Sequence, residues 1–243
     1  NFELLDREEI PNHYIGVETD GSMNSLDGAV HPPTIMGIEL TQVPELEHGP
    51  GGYDYETFHR NGGSNYLIPL EIVFRNEVPV GSSLRRRKRP EDVGLDLEDW
   101  PEESVTLPEP VVEFSTKFEE QDRYVSDEEA DRIAGKADLD ELRALALEVN
   151  RVINRRAEAQ GLRHDDGKIE CLYFQGTVKV ADVVGTFDEN RFSMNGQLIS
   201  KEYLRQYYRD TQPGWYESIR EAKQRSRDEN TAEWKPFCDI DPD

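Results

Sequence analysis

The sequence predicts an α+β protein with strands and helices segregated along the chain, and three observations carry that prediction. Leu139, Leu142, Leu145, Val149, Val152 and Ile153 recur at helical spacing between a capping Asp138 and a terminating Gly161. Two β-rich runs, 166–174 and 177–184, are joined across Gln175-Gly176. A third β-rich run, 66–74 (YLIPLEIVF), stands well upstream of both.

The elements follow in order. Asn1-Phe2-Glu3-Leu4-Leu5 reads as the back half of a helix ending before Pro11, with further chain expected upstream. Residues 19–65 are rich in Gly, Pro and polar residues, with a strand expected over 35–43, so they read as a decorated small sheet. Pro69 removes a backbone donor inside 66–74 and predicts an edge or a break there. The boundary between two lobes, 1–74 and 75–243, is therefore placed at that run. Residues 81–112 are charged and proline-punctuated, and read mostly as loop. Ser126-Asp127-Glu128-Glu129 has the capping-box form and starts a short helix, and a further capped helix starts at Ser200.

Composition narrows the function classes. The 243 residues carry 28 basic and 51 acidic side chains, a net charge of −23. Such a surface argues against nucleic acid as a partner, because phosphate neutralisation needs basic surface. Arg85-Arg86-Arg87-Lys88-Arg89 is the one basic run, too short to reverse that. No apolar stretch approaches the roughly 20 residues that span a bilayer, and no signal-peptide pattern occurs, so a membrane protein is not expected. Only 8 of the basic residues are lysines, against 20 arginines. Acidic, lysine-poor composition suits a protein working in molar salt, where self-repulsion is screened. Cys171 and Cys238 lack metal or redox spacing and suit a reducing cytoplasm. Oligomeric state is left open, a homo-oligomer included.

The five histidines show no zinc spacing, and neither GxSxG nor GxxxxGK[ST] occurs. Gly49-Pro50-Gly51-Gly52 lacks a following Lys-Ser/Thr and reads as flexible loop. Asp166-x-Lys168-x-Glu170 is more informative, since strand alternation points all three side chains from one face. A two-residue hairpin loop would pair 170 with 181. A three-residue loop pairs 170 with 182 and aligns Leu172 and Phe174 with Val180 and Val178, so hydrophobic matching favours that register. Glu170 and Asp182 would then face one another and repel unless a cation lay between them, as Mg²⁺ carrying nucleotide phosphates would. The plain alternative is an exposed ion-pair ladder through Lys168. Lys201 and Arg205 share one face of the helix start at Ser200, an anion site unless neighbouring acids absorb the charge. Arg75-Asn76 with Gly81-Ser82 gives a third cationic corner.

Taken together, Pro69 to Asn76, Gly81 to Arg86, Asp166-x-Lys168-x-Glu170, and then Asp182, Asp188, Arg191 and the Lys201–Arg205 pair resemble SAICAR synthetase, from Asn1 to about residue 225. With the lysine-poor acidity, the resemblance is to a haloarchaeal member. It implies a two-lobed fold with an ATP cleft between a small antiparallel-sheet lobe and a larger α+β lobe. It implies ligation of L-aspartate to the carboxylate of CAIR, driven by ATP with Mg²⁺ through an acyl phosphate. Glu170 and Asp182 are then the Mg–ATP carboxylates. Leu67 and Ile68 resemble the adenine hinge, with Glu71 after it and Lys117 near the nucleotide. Arg75, Ser82 and Arg191 resemble the groups on the CAIR phosphate. Asp166, Lys168, Asp122 and Asp188 resemble those around the imidazole, ribose and reacting carboxylate, and Lys201 and Arg205 stand on the substrate side.

Departures from the family pattern are also visible. Cys171-Leu172 stands where Phe-Gly is usual, one residue is added between Asp182 and Asp188, and Gln121-Asp122-Arg123 replaces His-Asp-Pro. One residue is also inserted between Asn76 and Gly81, and the 19–65 region is longer than in typical bacterial members. The family's glycine- and lysine-bearing turn over the ATP phosphates has no counterpart in these residues. The rival readings are another ATP-dependent carboxylate–amine ligase or kinase-like phosphotransferase, and an acidic binding protein without catalysis.

Overall fold

The computed structural model describes all residues except 50–51, 62, 120–121, 230–233 and 240–243, and the backbone alone at 202 and 227. The chain divides into two compact units, Asn1–Phe192 and Ser193–Asp243. In the first, α1 (Phe2–Arg7) leads into a three-stranded sheet of β1 (Tyr14–Thr19), β2 (Ser22–Asn24) and β3 (Met36–Ile38), in the order β2-β1-β3. A small hairpin, β4 (His48–Gly49) and β5 (Gly52–Tyr53), is followed by α2 (Tyr55–Asn61). The strand expected over 35–43 is thus only Met36–Ile38.

The main sheet is built on β6 (Tyr66–Val78), paired on one side with β7 (Val105–Thr116) and on the other with β9 (Arg163–Phe174). The short helix α3 (Leu84–Arg87) lies between β6 and β7 in sequence; β8 (Tyr124–Val125) extends the β7 edge, and β10 (Thr177–Ala181) pairs with β9. β11 (Asn190–Met194) also joins on the β9 side and runs out of the first unit. Two helices, α4 (Asp127–Ala134) and α5 (Leu139–Glu158), pack against the sheet. Both caps are as expected: Ser126 Oγ accepts from the Glu129 amide at 3.3 Å, and an Asp138 carboxylate oxygen from the Glu141 amide at 2.9 Å. The second unit carries β12 (Gln197–Ile199), α6 (Lys201–Thr211) and α7 (Pro213–Asp228). No helix among the described residues is long and apolar enough to cross a membrane.

Strand alternation divides the two faces of the main sheet by chemistry. Ile68, Leu70, Ile72 and Phe74 of β6, Phe114 of β7 and Ile169 and Cys171 of β9 are buried in one core with Leu142, Val149 and Ile153 of α5. Each such side chain contributes on the order of 2 kcal/mol by leaving water. The opposite face carries Glu71 and Arg75 from β6, Glu113 and Ser115 from β7, and Asp166, Lys168 and Glu170 from β9.

Four expectations are corrected. The chain does not break at Pro69. Before it, the Leu67 amide bonds to the Gln42 carbonyl; after it, β6 pairs with β7 from Leu70 onward. The proline sits where the hydrogen-bonding partner changes and where pairing with β9 shifts register, so its missing N–H costs no ladder bond. The expected lobe boundary at 74/75 consequently falls inside β6, and the division into compact units comes at 192/193. The segment 81–112 is not mostly loop: β7 starts at Val105, with Pro108 and Pro110 confined to the register shift between Arg75 and Glu77.

The fourth correction is the β9–β10 register. The loop is the two-residue one, with Thr177 opposite Phe174 and Ala181 opposite Glu170. Gln175 and Gly176 both take positive φ, 51° and 87°. That primed turn follows the right-handed twist of the strands, and it outweighed the side-chain matching that favoured a longer loop. The strand ends at Ala181 rather than 184, and Asp182 follows it, exposed, at φ 58°.

A buried polar network closes the core beside β11. His164 is 4% exposed; Asn154 lies 2.7 Å from its Nδ1 and Asn190 Oδ1 2.9 Å from its Nε2, and Phe192 stacks on its ring. Burial, above all, depresses its pKa below the ordinary histidine value, so the folded state keeps it neutral. Its contribution is fully present above pH 6.5, and is lost as pH falls towards the folded pKa, because only the unfolded chain takes up the proton. Urea unfolding between pH 7.5 and 5.5 is expected to show this loss for the native chain and a flatter profile for His164→Gln. Equal slopes in the two proteins would contradict it.

Candidate active site

The polar face of the main sheet gathers two charge clusters, each positioned by strand register. Glu71 and Glu170 lie directly opposite on β6 and β9, like charges that would repel without a cation between them. Lys168 supplies one: its Nζ lies 2.5 Å from Glu71, 3.1 Å from Glu170 and 3.0 Å from Glu189. Lys117, just past the end of β7, also pairs with Glu170 and stands 4.0 Å from Glu71. Two lysines against three glutamates leave this cluster net negative. Burial works against the Lys168 charge, but Glu71, Glu170 and Glu189 outweigh it and raise its pKa above the ordinary lysine value. With its side chain 21% exposed, this is a half-buried junction rather than an exposed ladder.

The second cluster lies two to four residues along the same strands. Arg75 is opposite Asp166, and its side chain is only 4% exposed. Its three nitrogens reach Glu113 (2.9 Å), Asp166 (3.0 Å) and the Tyr124 hydroxyl (2.7 Å). Arg191, on β11, grips Asp166 through two nitrogens, one of them at 2.6 Å. Arg87, from α3, takes both oxygens of Glu113, at 2.7 and 3.1 Å. Three guanidinium groups against two carboxylates leave this end net positive. Arg and carboxylate forks matched in this way hold orientation as well as charge.

The residues expected from sequence are distributed as follows. Glu71, Lys117, Lys168 and Glu170 meet in the first cluster, and Arg75, Asp166 and Arg191 in the second. Asp122 feels both Lys168 and Lys117; desolvation is the stronger influence and raises its pKa. Ile68 is buried in the core and Leu67 is half-buried beside Gln42. Ser82 is buried, with its hydroxyl accepting from the Leu84 amide at 3.3 Å. Asp188 is exposed, and its neighbour Glu189 makes the contact with Lys168 instead. Lys201 and Arg205 stand one turn apart on α6 of the second unit. The departure at Gln121 lies outside the described residues. The Glu170–Asp182 pairing across the hairpin is not formed, because the two-residue turn sets Ala181, not Asp182, against Glu170.

Sequence reasoning missed Glu113, Tyr124, Arg87 and Glu189. Alternation of Glu113 and Ser115 with the apolar Phe114 was the available signal for the first, in a stretch after residue 112 to which no element was assigned. A polar cavity of about 840 Å³ is lined by residues 47–49 and 52–56 together with Glu119, Arg123 and Glu129, and includes none of the first cluster's side chains.

The profile of the SAICAR synthetase family matches residues 1–222. The chain belongs to the SAICAR synthetase family. An Archaeoglobus fulgidus protein, provisionally named phosphoribosylaminoimidazole-succinocarboxamide synthase, is 40% identical over 230 residues, covering 91% of this chain and 66% of its own. The synthase of Thermoplasma acidophilum is 35% identical over 191 residues, covering 73% and 63%. The chain therefore spans a little under two thirds of the length of these relatives. Among solved structures, a SAICAR synthetase in complex with ADP superposes with a TM-score of 0.56 at 24% identity, over 84% of this chain and 68% of that one. SAICAR synthase from Saccharomyces cerevisiae, complexed with SAICAR, gives 0.54 at 20% identity, over 85% and 66%. At those identities the likeness is one of fold, an α+β fold with antiparallel sheets.

Proposed function

We propose that the polar face of this sheet is the substrate and nucleotide surface of an ATP-dependent ligase that joins L-aspartate to the carboxylate of CAIR, yielding SAICAR, ADP and phosphate. The observation that carries the reading is the separation of charge along one face: a net-negative glutamate–lysine cluster at one end and a net-positive arginine cluster at the other. Three anionic substrates need to be held together, and a chain of net charge −23 supplies cations at this place. Family membership and the ADP- and SAICAR-bound structures of similar fold support the same reading.

In this scheme Glu170, with Asp182 brought alongside, would hold Mg²⁺ on the ATP phosphates, and Glu71 and Lys117 would lie on the nucleotide side. Among the described residues no three His, Cys, Asp or Glu side chains form a metal cage. A metal carried on phosphates needs only one or two protein carboxylates, so the donors present fit. Bound there, the ion would neutralise charge on the transferring phosphoryl group. Leu67 and Ile68 would line the adenine; Arg75, Ser82 and Arg191 would hold the CAIR phosphate. Asp166 keeps two of those guanidinium groups in register. Lys168, kept charged by its glutamates, would sit over the CAIR carboxylate with Asp122 and Asp188 nearby. The carboxylate oxygen attacks the γ-phosphorus and ADP leaves; the aspartate amine then attacks the acyl carbon, phosphate departs, and the nitrogen gives up its proton. Lys201 and Arg205 are proposed for an anionic group on the substrate side. Composition points to a cytoplasmic, halophilic setting.

The test is ADP release from the full-length protein in molar KCl with Mg–ATP, omitting CAIR or aspartate in turn. ADP formation that requires both substrates is the expected result. ADP formed without aspartate would favour a kinase-like phosphotransferase, and indifference to ATP a binding protein.

A further inference from the structure

The basic run 85–89 is too short to offer nucleic acid a basic surface, yet the fold gives its members different tasks. Arg85 is a structural strut, donating to the carbonyls of Val78 at 2.9 Å and Glu103 at 2.6 Å, with its guanidinium over the Trp100 ring. Arg89 makes an exposed pair with Glu91. Arg87 alone turns to the arginine cluster, and its setting there is unusually constrained. Both oxygens of Glu113 hold it, Ser83 Oγ lies 3.4 Å from Nη2, and its guanidinium carbon lies 3.5 Å from the centre of the Tyr124 ring.

The same two partners also hold Arg75. Glu113 Oε2 is shared between the two arginines, and the Tyr124 hydroxyl accepts from Arg75 while its ring face carries Arg87. One carboxylate and one phenol thereby set the spacing of two guanidinium groups. Arg75 is nearly sealed, at 4% exposure, whereas the Arg87 side chain is 27% exposed. A guanidinium has five N–H donors, and a planar fork stacked on an aromatic face keeps its unused donors in a defined direction. The exposed edge of this cluster is therefore Arg87 together with Arg191, whose side chain is 33% exposed.

We propose that Arg87 is a further arm of the site for the substrate's phosphate monoester, and that Tyr124 is the positioning residue that aims it. This rests on the substrate reading above and adds a residue that the family resemblance did not supply.

The test uses the full-length protein with Arg87→Met, Arg87→Lys and Tyr124→Leu, the last removing the ring face on which Arg87 rests. Loss of one charge-assisted contact predicts a rise of about tenfold or more in KM for CAIR in Arg87→Met, with KM for ATP moving less than about twofold. Arg87→Lys should recover part of that rise, and Tyr124→Leu should show a smaller one for CAIR and not for ATP, without a matching fall in melting temperature. A KM for CAIR unchanged in Arg87→Met overturns the proposal, as does an equal rise for all three substrates accompanied by lost stability. Protection of the protein against heat by ribose 5-phosphate provides a readout independent of turnover. Wild-type protection that Arg87→Met loses supports the anion arm even if CAIR-dependent ligation is absent, in which case the ligase reading alone fails. Neither ligation nor protection in the wild type overturns both.

Discussion

Glu170→Gln is expected to reduce turnover on the order of a hundredfold or more while the protein stays folded. Glu170 is 3% exposed, lies opposite Glu71, and is the common partner of Lys117 and Lys168. Removing its charge takes away the acid to which both lysines are tied, and with it the negative charge that would attract a divalent cation. The glutamine retains the shape and one acceptor oxygen, so packing along β9 should survive. Steady-state ADP release and a melting curve on the same preparation separate the two effects. Turnover within a few-fold of native would remove Glu170 from the proposed site. Asp182→Asn makes a sharper companion. Asp182 lies past the end of β10 with a left-handed backbone, so a comparable loss would require that residue to come alongside Glu170 when nucleotide binds.

Gly167→Ala is expected to have the largest effect on stability. Gly167 faces the core between Asp166 and Lys168, opposite Phe74. A Cβ there would lie 1.9 Å from Asn190 Oδ1 and 2.6 Å from Phe74 Cε2. Neither neighbour can give way cheaply: Asn190 Oδ1 is engaged with His164, and Phe74 is fully buried. Overpacking combined with a broken buried hydrogen bond should cost about 3 kcal/mol. For a chain of this size that lowers the melting temperature by about 6–12 °C. A fall of under about 2 °C would mean that β9 can shift without disturbing the network. The glycine is thus required by space, in the middle of the strand that presents the site residues.

Much of this architecture was legible in the residues, for identifiable reasons. Helix α5 and its Asp138 cap follow from a local periodicity and a local hydrogen bond, neither of which needs distant chain. Asp166, Lys168 and Glu170 share a face because alternation is a property of the strand itself. Pro69 correctly marked a change of hydrogen-bonding partner, although not a break in the strand. Other features depended on partners far along the chain. Glu113 gains its meaning only when β7 lies beside β6 and brings it to Arg75, 38 residues away in sequence. In sequence Arg87 is one member of a short basic run, and only α3 places it on Tyr124.

The hairpin register shows where the division falls. Side-chain matching favoured a three-residue loop, whereas two consecutive residues at positive φ joined the strands with a tighter turn. Composition and periodicity by themselves determined the α+β class, the starts of α4, α5 and α6, the acidic character and the identity of the charged strand β9. Tertiary structure decided which charges meet: Glu71 with Lys168 and Glu170, Arg75 with Asp166 and Glu113, and Asp182 set apart from Glu170. The reason is physical. Periodicity records which face of an element a side chain occupies, whereas the encounter of two faces is set by turn geometry and sheet register, a single-residue step in which reverses every neighbour.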